Sequence, residues 1–185
     1  MSLRYLLVPA AFGIGLVWAP AALAEVLDQA ANGFTVEQVV SVDATVPEAF
    51  NAFTALPLWW DPAHTYSGDA SYLSFTPEVG ACWCERLPGG GGVEHLRIVY
   101  IAPDGGAIRM VGGLGPLQAM GASGAMTVSF SVAEAGAGTR VTLRYVVSGY
   151  EPGGMGAIAG PVDMVLGQAM ARYAAFAGQG LEGPP

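Results

Sequence analysis

The sequence predicts an α+β domain in which a curved antiparallel sheet of about seven strands packs on one long C-terminal helix, with two short helices after the first strand. Three observations lead there. Residues 34–43 alternate, placing Val36, Val40 and Val42 on one strand face. Further strand-like runs follow, separated by Gly, Pro and Asp turns. Near the end, Ile158, Val162, Val165, Leu166, Ala169, Tyr173 and Phe176 recur three or four residues apart and form one apolar stripe.

The elements follow in order. After the first strand, Pro47 fits a first helical turn without losing a needed N–H, and Phe50 and Phe53 repeat at helical spacing. Pro57 stops that helix, and residues 47–60 end on Trp59-Trp60. The stretch 61–70, with Asp61, Pro62, His64, Ser67, Gly68 and Asp69, is a polar loop. Strands are expected near 71–76, 81–87, 93–101, 106–112, 124–133 and 138–148. Short turns from Pro88 to Gly92, Pro103 to Gly106 and Ala135 to Gly138 make antiparallel hairpins. The longer Gly112–Gly124 connection carries Leu114, Pro116, Leu117 and Met120 and reads as a plain structural loop or, less commonly, a pocket mouth. The last helix starts near Gly160-Pro161 and ends at Gly178.

The N-terminal segment differs in kind. One Arg at position 4 precedes an apolar run from Leu6 to Trp18, and Ala22-Leu23-Ala24 offers the small residues of a cleavage site. Residues 1–24 are therefore expected to be a signal peptide, 25–33 an N-terminal segment, 34–177 the domain and 178–185 a flexible tail. Export to the periplasm or medium follows from that reading, with no stable membrane insertion after cleavage. The net charge of −8 argues against nucleic acid as a partner. All seven basic residues are Arg, which excludes a lysine Schiff base or a lysine phosphate clamp.

The order of elements resembles the helix-grip arrangement of the START-like (SRPBCC) superfamily, particularly its polyketide-cyclase-like branch. Local likeness lies in Val46-Pro47-Glu48-Ala49-Phe50, Trp59-Trp60, Gly138-Thr139-Arg140-Val141-Thr142-Leu143 and Val162-Asp163. The resemblance implies a cavity between sheet and terminal helix that holds a small hydrophobic or amphipathic molecule. Its expected ligand-binding residues are Trp59, Trp60, His64, Tyr100, Tyr145, Met164 and Tyr173, with Leu96, Ile98, Met126, Phe130 and Leu143 as further wall candidates.

Cys82-Trp83-Cys84-Glu85 is the most unusual short string. Two strand steps separate the cysteine Cα atoms by about 6.6 Å, so an internal bridge requires a bulge. A turn symmetric about Gly90 would set Cys84 opposite Leu96 and Cys82 opposite Ile98 on the apolar face. Glu85 would then face His95, and Trp83 would face Arg97, on the other side; a surface ion pair is the expectation for Glu85 and His95. Cys82, Cys84, His64 and His95 lack a metal-site spacing, and neither a metal nor another cofactor is expected.

No nucleophile elbow, nucleotide-binding loop or dinucleotide fingerprint occurs. The functional expectation is an exported ligand-binding protein without catalysis. The alternative is a cyclase-, dehydratase- or hydrolase-like enzyme using the same cavity, with His64, Tyr66, Glu85 and His95 as proton-transfer candidates and Asp61 nearby. A protein-interaction module ranks third and would require a broad exposed apolar patch.

Overall fold

The computed structural model describes residues 23–102, 104–134 and 136–179. Their strands are β1 (Leu23–Ala30), β2 (Gly33–Val42), β3 (Leu73–Phe75), β4 (Cys82–Arg86), β5 (Gly92–Ile101), β6 (Ala107–Gly112), β7 (Ser123–Val132) and β8 (Thr139–Ser148). Helix α1 spans Val46–Thr54 and α2 spans Ala159–Ala177. The eight strands form one antiparallel sheet in the order β1-β2-β8-β7-β6-β5-β4-β3.

The sheet has one strand more than expected. β1 covers Leu23 and Ala24, the last two residues of the anticipated leader, and most of the segment expected to precede the domain. It is an edge strand with Glu25, Leu27 and Asp28 exposed, so it lacks the alternation that marks a half-buried strand. The rest of the leader and residues 180–185 of the expected tail lie outside the described residues. Among the described residues, no helix is long and apolar enough to cross a membrane.

Only the first of the two short helices is α-helical. At its start, the Glu48 carboxylate accepts hydrogen bonds from the Thr45 N–H at 2.8 Å and the Thr45 hydroxyl at 2.7 Å. The second is a single 3-10 turn at Leu56–Leu58, where Pro57 removes the donor needed for continuation. It delivers Trp59 and Trp60 into the interior, both buried.

The core lies between the inner sheet face and the two helices. Phe53 of α1, Trp59 and Tyr173 of α2 form an aromatic triangle with centroid separations of 5.4, 5.5 and 5.7 Å. The polar ends of these rings are satisfied: Trp59 Nε1 donates to the Phe53 carbonyl at 3.1 Å and the Tyr173 hydroxyl to the Ala49 carbonyl at 2.8 Å. Gln38, fully buried on β2, ties the sheet to α2 by donating through Nε2 to Asp163 Oδ1 at 2.6 Å.

Two bulges in β5 reset the faces. Trp83 pairs with Leu96 but Cys84 pairs with Glu94, leaving His95 as an extra residue. Likewise Ile98 pairs with Met110 and Tyr100 with Arg109, leaving Val99 unpaired. Because strand faces alternate residue by residue, each inserted residue reverses the parity beyond it. The symmetric register expected from the sequence therefore fails. Trp83 and Glu85 point inward and are buried, while Cys82 and Cys84 lie on the other face as a disulfide.

Candidate functional site

A cavity of about 380 Å³ opens between β4, β5, the N-terminal half of α2 and two loops. Trp60, Leu73 and Trp83 form part of its wall, and Val162, Val165 and Leu166 contribute the apolar stripe of α2. The loop after Trp60 adds His64, Thr65 and Tyr66; the loop after β6 adds Leu114, Leu117 and Met120. The lining is mainly apolar with polar groups at one side, the composition of a small-molecule pocket.

Glycine geometry turns the second loop over the cavity. Gly112 has φ 145°, and a Cβ there would stand 2.6 Å from the His95 carbonyl oxygen, so no larger residue fits beside β5. The Tyr145 hydroxyl then fixes the loop by donating to the Gly112 carbonyl at 2.8 Å and accepting from the Leu114 N–H at 3.1 Å. Burial pushes this phenol up to about 12, with the Leu114 hydrogen bond opposing the rise.

His95 is the polar centre of the wall and is buried together with Glu85. Its Nε2 lies 3.0 Å from Glu85 Oε2. The carboxylate also accepts from the Tyr66 N–H at 3.1 Å and the Ser67 N–H at 2.5 Å. On the other side of the ring, the Gly115 N–H donates to Nδ1 at 3.4 Å. An amide N–H can only donate, so these partners fit the tautomer with its proton on Nε2. The pair thus holds both cavity loops, and the Tyr66 ring stacks on His95 at 5.9 Å.

Burial pushes the Glu85 carboxyl up, but hydrogen bonds from Ser67, His95 and Tyr66 together outweigh it and hold the group below its ordinary 4.5. Removing any of these donors would therefore leave a buried carboxylate poorly solvated.

The anticipated contact between Glu85 and His95 exists, but in the interior instead of on the surface. The His95 bulge is the reason, since it makes two successive residues, His95 and Leu96, face inward. Trp60 and His64 line the cavity, His64 at its exposed rim. Tyr66 lines it as well. Among the described residues, Trp59, Tyr100, Tyr145, Met164 and Tyr173 are not part of its lining. Trp59, Tyr145 and Tyr173 are buried elsewhere in the core. The Val99 bulge turns Tyr100 outward, where the Arg109 guanidinium lies 5.6 Å from its ring centroid. Met164 is 58% exposed because it falls off the apolar stripe of α2.

Sequence reasoning missed Trp83 as a wall residue, having placed it on the opposite face. Its signal was the bulge that a bridge between Cys82 and Cys84 requires. The two cysteine sulfurs and the Glu94 carboxylate lie within 4.8 Å of one another, a grouping able to hold a metal when reduced. Here the sulfurs are bonded to each other, with a Cα separation of 5.3 Å. A loop this short restrains the unfolded chain by less than about 2 kcal/mol.

No protein-family model matches the chain, and no curated protein matches it in sequence. Solved structures do. A protein of Chromobacterium violaceum is 15% identical with a TM-score of 0.54, covering 78% of this chain and 96% of its own. One from Rhizobium leguminosarum is 17% identical with a TM-score of 0.54, covering 85% and 98%. The ginseng major latex-like protein 151 from Panax ginseng is 12% identical with a TM-score of 0.50, covering 78% and 98%. At these identities the likeness is one of fold: a large antiparallel sheet gripping a long C-terminal helix.

Proposed function

We propose that this chain is an exported START-like (SRPBCC) protein that binds a small hydrophobic or amphipathic molecule in the cavity between its sheet and α2. The observation that carries the reading is the cavity itself, about 380 Å³ with a mainly apolar wall and its polar groups gathered at His64, Thr65, Tyr66 and His95. A ligand with an apolar body and one polar end matches that distribution.

Binding without catalysis is favoured by the state of His95. Glu85 holds one ring nitrogen and the Gly115 N–H faces the other at 3.4 Å, so both are directed at the protein's own loops instead of at the cavity space. His95 and Glu85 act as positioning residues that hold the two loops around the ligand.

Native mass spectrometry of protein recovered from an exporting host tests the proposal, with a retained small molecule as the expected result. Val165→Trp, which fills the cavity from α2, should abolish retention while far-UV circular dichroism stays unchanged. If no ligand is carried, and a broad panel of lipids and aromatic compounds fails to bind, the proposal is wrong.

A further inference from the structure

We propose that Cys82–Cys84 is a thiol–disulfide exchange site, reducible in the folded protein by a dithiol, and that its redox state sets the shape of the cavity wall. The second part rests on the ligand-binding reading above; the first stands without it.

The bond is poorly suited to holding the fold together. It closes a loop with a sequence separation of only two, inside a strand that is already hydrogen-bonded on both sides, by β3 and β5. Both cysteines are partly exposed on the outer face of the sheet, so a thiolate can reach a sulfur. The Glu94 carboxylate lies within 4.8 Å of both sulfurs, and Arg97, paired opposite Cys82, is bound to Glu94. The carboxylate disfavours a thiolate beside it, and the Arg97 guanidinium bound to it offsets part of that charge.

The exchange balances without a further reactant. One thiolate of the dithiol attacks a sulfur of the bridge, forms a mixed disulfide and releases the other cysteine as a thiolate, which takes a proton. The second thiol of the reductant then attacks the mixed disulfide as a thiolate, having lost its proton, and expels the remaining cysteine, which is protonated in turn. The reductant leaves as a disulfide; two electrons and two protons have passed to Cys82 and Cys84.

The consequence for the cavity comes from strand geometry. The bridge holds the two Cα atoms 5.3 Å apart, against about 6.6 Å for two steps of an extended strand. Trp83, the residue between them, is a cavity wall, and Glu85, the residue after them, holds His95. Reduction lets β4 lengthen at this point, which moves the Trp83 ring and the Glu85 carboxylate relative to the two loops.

The test begins with the full folded chain in dithiothreitol, followed by alkylation and intact-mass measurement. Two alkylated thiols, reversal on reoxidation and an unchanged far-UV spectrum are expected; a bond that opens only in denaturant overturns the proposal. Tryptophan emission should shift on reduction, the shift should be lost in Trp83→Phe, and Cys82→Ser/Cys84→Ser should not respond to reductant. Full reduction without an emission change removes the coupling to the wall. Anilinonaphthalene sulfonate, used as the cavity probe, should bind the reduced form about tenfold more weakly. Equal binding to both forms also overturns the coupling. A probe that binds neither form counts against the ligand reading, while thiol titration still decides whether the exchange site exists.

Discussion

His95 Nε2 and Glu85 Oε2 meet 3.0 Å apart across a β-bulge, and the backbone of one cavity loop ends on each partner. The pair is a joint between the sheet and the two segments that enclose the site. A neutral amide in place of the carboxylate cannot accept every N–H now directed at it. Glu85→Gln should therefore cost about 2 kcal/mol in a urea titration and weaken probe binding in parallel.

The same residue sets an acid response. Its folded pKa lies below 4.5, so the unfolded chain takes up a proton first as pH falls. Its contribution to stability is complete above 4.5 and is lost as pH drops through the depressed folded value. Urea midpoints measured from neutral into acid should fall less steeply in Glu85→Gln than in the parent chain. Parallel curves would show that the carboxylate has no such role.

Asp163 carries the opposite sign. Burial pushes its carboxyl up, the Gln38 hydrogen bond opposes this and the Glu25 charge adds to the rise. The charged form is thus disfavoured in the fold, and stability falls as pH climbs through the raised value. Gln38 Oε1 beside it is buried without a hydrogen-bond partner among the described residues. Asp163→Asn removes the charge and supplies a donor for that oxygen. It should raise stability at neutral pH by about 1 kcal/mol, read as a higher urea midpoint with unchanged slope.

Two buried tyrosines differ in what their hydroxyls hold. Tyr145 bonds both Gly112 and Leu114 of the cavity loop, whereas Tyr173 bonds the Ala49 carbonyl within α1. Tyr145→Phe should cost about 2–3 kcal/mol and loosen probe binding, since it strands a loop donor and an acceptor. Tyr173→Phe should cost about 1 kcal/mol and leave binding unchanged, because a helical carbonyl keeps its main-chain partner.

Gly112→Ala tests the turn over the cavity. The added Cβ would collide with the His95 carbonyl at 2.6 Å in a backbone conformation that side chains rarely adopt. A loss of at least about 2 kcal/mol is expected. At Gly90, φ is 109° but nothing lies within 4 Å of an added Cβ, so Gly90→Ala should be the milder change.

The sequence by itself determined the order of the main elements from β2 to α2 and most of the core. Alternation in β2 and β8, the hairpin turns, the Pro-limited short helices and the stripe on α2 are local signals, and each is imposed by a period of two or 3.6 residues. It also put His64 and Tyr66 in the loop beyond the Trp pair, and left the loop carrying Leu114 and Leu117 open between a pocket mouth and a plain connection. Only the tertiary structure decided which faces of β4 and β5 look inward. The bulges at His95 and Val99 break the two-residue period, and their positions depend on how neighbouring strands pair. They carry His95 and Glu85 inside, Trp83 into the cavity wall, the disulfide to the outer face and Tyr100 towards solvent. β1 was hidden for a related reason: an edge strand exposed to water needs no alternation, and its partner supplies the hydrogen bonds that define it.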